Sequence, residues 1–363
     1  MQEHDSEIAM GRRILVLDGI GGVPLAREIR QAFEDMGENA SHYDCAGLER
    51  IPFYKLRAGA YKLLNKWEGM DEFVHLPRVH PDVIEEIIKK EQPEAILVVG
   101  FIYKFIEPRW LRRLANQYGC GLYLYDTDSC NLYTKRREFT FFLEKELSVY
   151  DGIFSFSKVT TDFFQRAKNL NAHYLPFGAS ITSLPVGVAE SRDVLFVGSG
   201  DLRRILLLES IAEHVSVFGD RWARNYPLIS DRLKQRIVDR PVWGSELHQL
   251  MAESKIILNI TRGPFYAAET GVNLRIFEAL AAGKFLLTDH CDEINELFKV
   301  GVEVETFSGS AELRDKVHYY LKHEDKRLEI ARRGYERFLQ EFTWQKRVSI
   351  LYEYICAANS KSC

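Results

Sequence analysis

Asp193–Arg204 reads DVLFVGSGDLRR, and it repeats a grammar already used at Arg13–Gly22, RILVLDGIGG. In the later copy Val194–Val197 is a short apolar strand, Gly198-Ser199-Gly200 a tight turn, and Leu202 onward a helix carried by Leu206 and Ile211. In the earlier copy Arg13–Leu17 leads through Asp18-Gly19-Ile20-Gly21-Gly22 into a helix patterned by Val23, Ala26, Ile29 and Phe33. A parallel-sheet domain therefore starts twice in one chain. Apolar runs alternating with helices follow each start: Ala95–Val99, Gly121–Tyr125, Asp151–Ser157 and Ala172–Pro176 in the first half, then Val215–Phe218, Ile256–Ile260 and Lys284–Thr288 in the second. The helix Pro81–Glu91 precedes the first of these runs, and Leu111–Tyr118 the second. Buried strands separated by helices predict an α/β fold, doubly wound in both halves.

The 363 residues suit about two domains. With 46% hydrophobic and 28% charged residues the chain has ordinary globular composition, and a net charge of −4 supplies no basic field for nucleic acid. Lys135-Arg136-Arg137 is a local basic cluster that suits single phosphate groups. The six cysteines lie scattered without C-x-x-C spacing, which disfavours a zinc site or disulfide framework and fits reduced thiols in a cytoplasm. The polar start and the lack of a ~20-residue apolar run predict no transmembrane segment and no export signal. Ser180–Arg192 carries Pro, Gly and small polar residues without a period, so the boundary is expected near Pro185. Residues 1–184 form the first domain on this reading and 185–341 the second. Residues 342–363 form a helix, spaced by Trp344, Val348, Leu351 and Ile355, that packs back on the first domain.

Ligands of doubly wound sheets sit beyond the carboxyl ends of the strands, so candidate chemistry is sought there. Gly198-Ser199-Gly200, with Arg203 and Arg204 in the following turn, reads either as a cradle of backbone N–H groups for a diphosphate or as a plain turn beside two solvated arginines. The Asp18–Gly22 loop departs from G-x-G-x-x-G, although Asp44 lies in the range of a ribose-binding acid, and a nicotinamide site has little support. In GVNLRIFEALAAGKFLLTD, Gly271–Asp289, Asn273 caps a helix beginning at Leu274 whose buried stripe is Leu274, Phe277, Leu280 and Ala281. Arg275 then sits where its charge opposes the helix dipole, which an anion would offset. Glu278 shares its face, either to take a ribose diol or merely to pair with Arg275. Asp126 and Asp128 end a strand and read as acid/base groups or as an Asx turn before Ser129-Cys130-Asn131.

Across most of the second half the chain resembles the CgeB-like glycosyltransferases, relatives of the group-1 enzymes with the GT-B fold. The resemblance is carried, in order, by DVLFVGSGDLRR, SVFGDRW, ESKIILNITR, GVNLRIFEALAAGKFLLTD, EINELF, GVEVETF and FTWQKRV, and more thinly by YDGIFSFSKVTTDFF and YLPFGAS in the first half. It implies two Rossmann-like domains facing a cleft, a C-terminal helix crossing back to the first, and a nucleotide diphosphate sugar bound mainly by the second. On this resemblance Gly198, Ser199 and Arg203 approach the diphosphate, and Phe218, Gly219 and Asp220 the base. Asn273 and Arg275 approach the phosphates and sugar, and Glu278 the ribose. The E-x7-E spacing of retaining relatives would put its first glutamate at Thr270, with Glu269 one residue earlier. Retention and inversion both stand, and inversion would draw a base from Asp18, Asp126 or Asp128.

The expected function is transfer of a hexose from a nucleotide diphosphate sugar to a saccharide, protein or small-molecule acceptor, without metal or cofactor and without nucleic acid as partner. Asp126-Thr127-Asp128 spells D-x-D but does not bind metal under the resemblance. A noncatalytic nucleotide-sugar-binding or scaffold protein is the alternative, motivated by the missing glutamate.

Overall fold

The computed structural model describes residues 11–67, 72–132 and 134–359. Two six-stranded sheets, parallel throughout, organise them. The first contains β1 (Arg13–Gly19), β2 (Asn39–Asp44), β3 (Ala95–Gly100), β4 (Gly121–Asp126), β5 (Gly152–Ser155) and β6 (Ala172–Tyr174), in the order β2-β1-β3-β4-β5-β6. The second contains β7 (Arg192–Val197), β8 (Val215–Phe218), β9 (Ile237–Val238), β10 (Ser254–Asn259), β11 (Phe285–Asp289) and β12 (Glu305–Phe307), in the order β12-β11-β10-β7-β8-β9. Read from the other edge this is the 3-2-1-4-5-6 order of a dinucleotide-type fold, and its direction reverses between β7 and β10. A crevice at the carboxyl ends of those two strands is therefore built into the second sheet.

The strands with the longest apolar runs are the central ones. All six residues of β3 are buried, as are Ile256–Leu258 of β10. The sequence reading missed β2, NASHYD, because it is an edge strand whose buried residue is Ala40 alone. It also missed the helix Tyr54–Trp67, where Leu56, Leu63 and Leu64 lie largely exposed and give no core stripe.

Two compact units result. The first comprises residues 1–156, 160–175 and 348–363, and the second residues 157–159 and 176–347. Within the second unit the segment entering at Pro176 meets the segment leaving at Arg347: Ala179 and Thr343 form a parallel bridge, and Trp344 N donates to Ala179 O at 3.1 Å. The final helix, Trp344–Asn359, begins in the second unit and ends in the first. In the first unit Tyr354 sets its ring edge-on to Phe154 at 5.2 Å and tilts against His173 at 4.5 Å, while Tyr352 meets Phe33 at 6.4 Å. These rings and the buried Val348, Leu351 and Ile355 hold the helix there. Among the described residues no helix is long and apolar enough to cross a membrane.

Candidate functional site

At the crevice between β7 and β10 the turn Gly198-Ser199-Gly200 differs from the phosphate cradle expected of it. The amide of Gly198 donates to Phe218 O at 2.8 Å, and that of Gly200 to Asp220 O at 2.9 Å. Trp222 Nε1 donates to Gly198 O at 3.0 Å. These glycines serve close approach instead. Gly219 has φ +147, and a Cβ there would lie 2.0 Å from Gly198 O. Asp201 caps the following helix, Leu202–Leu208, by accepting from Arg204 N at 3.0 Å, so a carboxylate already occupies the helix start.

The two arginines divide their work. Arg204, read from the sequence as solvated under the plain-turn alternative, is buried. Its Nε and Nη2 donate to Ile260 O at 2.9 and 2.8 Å and its Nη1 to Ser199 O at 2.8 Å. Burial pulls its pKa down to about 10. It ties the β7 turn to the end of β10. Arg203 donates from Nη1 to Asp289 Oδ2 at 2.6 Å and Thr261 O at 2.9 Å, and its guanidinium carbon lies 3.7 Å from the centre of the Tyr266 ring. Asp289 in turn accepts from Thr261 N and Oγ1, both at 2.9 Å. Arg203 is thus aimed by a buried carboxylate with two nitrogens to spare. Phe218 is buried under the Arg192 guanidinium, and the half-buried Asp220 pairs with Arg221 at 3.3 Å.

Asn273 caps the helix Leu274–Ala281 as its spacing predicts: Oδ1 accepts from Arg275 N at 3.0 Å. Its Nδ2 donates to Asn259 Oδ1 at 3.0 Å, and Asn259 Nδ2 to Thr288 Oγ1 at 2.9 Å, so the cap is bolted to the ends of β10 and β11. The buried stripe is Ile276, Phe277, Ala279, Leu280 and Ala281; Leu274 is only half-buried. Arg275, with its side chain 10% exposed, places Nη1 2.7 Å from Glu278 Oε2. That approach is not aligned as a hydrogen bond, and Nε and Nη1 have no hydrogen-bond acceptor. Burial raises the pKa of Glu278 despite Arg275 beside it. The pair expected under the plain reading does form, but it leaves buried donors unsatisfied, a costly state for a structural ion pair.

Near the end of β11 lies a cavity of about 420 Å³, lined among others by Tyr266, Glu269, Thr270, His290, Glu293 and Glu296. Glu269 holds the left-handed φ of +55. Thr270 Oγ1 donates to Glu293 Oε2 at 3.1 Å, and Glu293 Oε1 accepts from Lys158 N at 3.0 Å within the same unit. A carboxylate missing from the chain at position 270 is therefore present in space, delivered from the short helix Asp292–Leu297. Sequence reasoning missed Glu293 because no spacing rule connects it with Glu278.

The first-unit candidates serve structure in different degrees. Asp126 is buried and caps the turn Ser129–Leu132: Oδ1 accepts from the amides of Asp128 and Ser129 at 3.2 and 3.0 Å, and Oδ2 from the hydroxyls of Ser129 and Ser155 at 2.6 and 2.8 Å. Burial raises its pKa against those bonds. The Asx-cap alternative describes it. Asp18 accepts from Ile20 N at 2.8 Å and Gly21 N at 3.1 Å, with His42 Nε2 3.6 Å away. Burial raises the Asp18 pKa, but His42 and the two amides outweigh it and leave the pKa lowered, which makes a poor base. Asp128 accepts from Asn131 Nδ2. Among the described residues the grouped His and acid donors lying within 4.8 Å of one another are Glu213, His214 and His318, at the amino end of β8 and not at the D-x-D.

Residues 203–353 match a family model described as glycosyl transferase-like. The architecture is the GT-B fold. Sucrose-phosphate synthase from Thermosynechococcus elongatus superposes with a TM-score of 0.67 at 13% identity, covering 96% of this chain and 100% of that one. Anabaena Alr3699/HepE, in complex with UDP and glucose, gives 0.63 at 14%, covering 95% and 100%. A glycosyltransferase from Rickettsia africae gives 0.60 at 12%, covering 96% and 98%. No curated protein sequence matches the chain. Identities this low establish the fold, and the glycosyl transferase-like match places that domain on the half holding Arg203, Asn273, Arg275 and Glu278.

Proposed function

We propose that the protein is a glycosyltransferase of the CgeB-like kind that uses a nucleotide diphosphate sugar and needs no divalent metal. One observation carries this reading: Arg275, buried in the first turn of a capped helix, keeps Nε and Nη1 without hydrogen-bond acceptors. A guanidinium there adds to the positive helix end, Glu278 offsets one charge, and a diphosphate would satisfy the rest. Arg203, aimed by Asp289, is the second phosphate ligand, with Ser199 and Gly198 at its side. Glu278 accepts from the ribose hydroxyls, and the Phe218-Gly219-Asp220 loop borders the nucleoside. Glu293 faces the hexose in the cavity, in place of the E-x7-E glutamate.

In the reaction the acceptor oxygen forms a bond to the anomeric carbon as the bond from that carbon to the diphosphate oxygen breaks. The acceptor proton leaves to a base, and the nucleoside diphosphate departs with its added charge stabilised by arginine and helix end. Of the first-unit carboxylates offered as an inverting base, Asp126 is spent on capping and Asp18 has its pKa lowered, which leaves Asp128. HepE forms complexes with UDP and with UDP-glucose, which makes uridine donors the first to test.

Calorimetric titration with UDP, GDP, ADP and dTDP and their glucose conjugates tests the proposal, followed by donor turnover with and without EDTA. One nucleoside diphosphate is expected to bind, Arg275→Ala to weaken it about 10- to 150-fold, and EDTA to change nothing. Binding of none, or turnover that vanishes with EDTA and returns only with manganese, overturns the nucleotide-sugar or the metal-free claim respectively. Binding without turnover over a broad acceptor panel favours the scaffold alternative.

A further inference from the structure

The helix Tyr54–Trp67, YKLRAGAYKLLNKW, belongs to the first unit and turns its largest apolar side chains to water. Leu56, Leu63 and Leu64 are 75%, 70% and 64% exposed, and Phe53, just before the helix, is 80% exposed. Positions 53, 56, 60, 63 and 64 share one side of a helix with 3.6 residues per turn, so these side chains and Ala60 make a continuous stripe. The side that is half-buried bears Tyr54, Ala58 and Asn65. There Tyr54 Oη donates to Leu76 O at 2.9 Å, and Ile51 N, just upstream, to Arg78 O at 2.8 Å. The helix is thus held by one side with its apolar stripe on the other, the reverse of an ordinary surface helix. Phe53 adds a second observation. Its φ is +56, a left-handed backbone that bulky residues rarely adopt, while its carbonyl closes the first turn by accepting from Leu56 N and Arg57 N at 3.0 and 3.1 Å. The fold bears that strain and buries nothing of the ring in return.

Positive charge borders the stripe. From Arg50 to Trp67 the chain has Arg50, Lys55, Arg57, Lys62 and Lys66 and no acidic residue, on a protein whose net charge is −4. The exposed Lys55 and Lys62, seven residues apart, flank the stripe on one side and the exposed Arg57 on the other. We propose that this helix is a membrane-surface anchor that lies flat on a bilayer carrying anionic headgroups. Phe53, Leu56, Leu63 and Leu64 enter the acyl boundary, and the basic side chains reach up to the lipid phosphates. At 14 residues, about 21 Å, the helix is too short and too charged to span a bilayer, so it rests in the interface. A second copy of the chain fits the stripe poorly, because two such segments would bring like charges together with no acid to answer them. The assignment stands on the first unit alone and does not depend on the nucleotide-sugar reading.

The test sediments the full chain with vesicles of phosphatidylcholine alone and of phosphatidylcholine with about one-third phosphatidylglycerol. Wild type is expected to bind the anionic vesicles at least about tenfold more tightly than the neutral ones, and to lose most of that advantage near about 1 M salt. Leu63→Ser combined with Leu64→Ser should weaken binding about tenfold or more. Lys55→Gln combined with Lys62→Gln should weaken it roughly 30-fold, since each lysine near an anionic surface is worth about 1 kcal/mol. All four side chains are exposed, so the melting temperature should hold in both double variants. Wild type that ignores anionic vesicles, binds both kinds equally, or binds undiminished in either double variant overturns the anchor. Concentration-dependent self-association in sedimentation velocity that the leucine substitutions abolish also overturns it, because the stripe is then an interface between copies.

Discussion

Gly219→Ala perturbs the point where the β7 and β8 turns touch, and its cost follows from the distances. The new Cβ would sit 2.0 Å from O and 2.5 Å from C of Gly198, both backbone atoms that no rotamer change can move. An ordinary contact starts near 3.4 Å, so one turn must retreat by more than an ångström. That retreat breaks the 2.8 Å bond from Gly198 N to Phe218 O and strains the bonds from Gly200 N and Trp222 Nε1. Each lost bond costs about 1 kcal/mol, and an alanine held at φ +147 adds about 1–3 kcal/mol. The sum is roughly 3–6 kcal/mol, a large share of the stability of any single domain. For a unit of this size it amounts to a fall of about 6–20 °C in melting temperature. Two compact units rule out a single two-state fit, so scanning calorimetry should follow the transition that nucleotide shifts. Gly283→Ala is the control: φ is +62 there, yet nothing lies within 4 Å of the new Cβ, and backbone strain alone, about 1 kcal/mol, is expected. Equal effects of the two substitutions, or a Gly219→Ala shift under about 2 °C, would refute the contact argument.

Glu293→Gln should weaken the sugar conjugate about tenfold or more while leaving the bare nucleoside diphosphate alone, as calorimetry of both ligands will read; parallel losses would reduce Glu293 to a structural tie. Glu146 is buried, accepts from the amides of Ile102 and Tyr103 at 2.9 and 3.0 Å, and is pushed by burial up to about 7. A folded-state pKa above the ordinary 4.5 gives stability that is complete below that value and lost as pH rises through 7. The first unit should therefore melt progressively lower from pH 5 to pH 8, and Glu146→Gln should flatten that slope; an unchanged slope assigns it to other groups. Asp126→Ala orphans two hydroxyls and two amides, so a loss of about 2–4 kcal/mol is expected in urea unfolding with donor affinity retained. A fully stable but inactive variant would restore Asp126 to the chemistry.

Much of the fold could be read because its central strands are buried on both faces and announce themselves as apolar runs. β3 and β8 lie where RILVL-type patterning places them, and the second start at Asp193 gave away the second sheet. The edge strand β2 was invisible because most of it is only partly buried, and β12 because its three residues, though buried, include the polar Glu305 and Thr306 and make no apolar run. The Asn273 cap was legible since a cap is local, a side chain bonding an amide two residues on. The fate of Gly198 and Gly200 was not: their amides are consumed by carbonyls some twenty residues away, and only the sheet order brings those together. Glu293 escaped for the same reason, since it meets Thr270 from another element.

The first unit is not contiguous in sequence, and that has a consequence for how the protein is made. Its sheet is complete at Tyr174, but the helix bearing Tyr352 and Tyr354 follows the whole second unit. At about 5–20 residues per second a ribosome takes roughly ten to thirty seconds to cross that interval. Through that time the docking faces of Phe33 and Phe154 wait without the rings that later meet them. A nascent chain stalled before the last helix therefore carries a sticky half-domain, and a chaperone that shields aromatic surface has its natural window there.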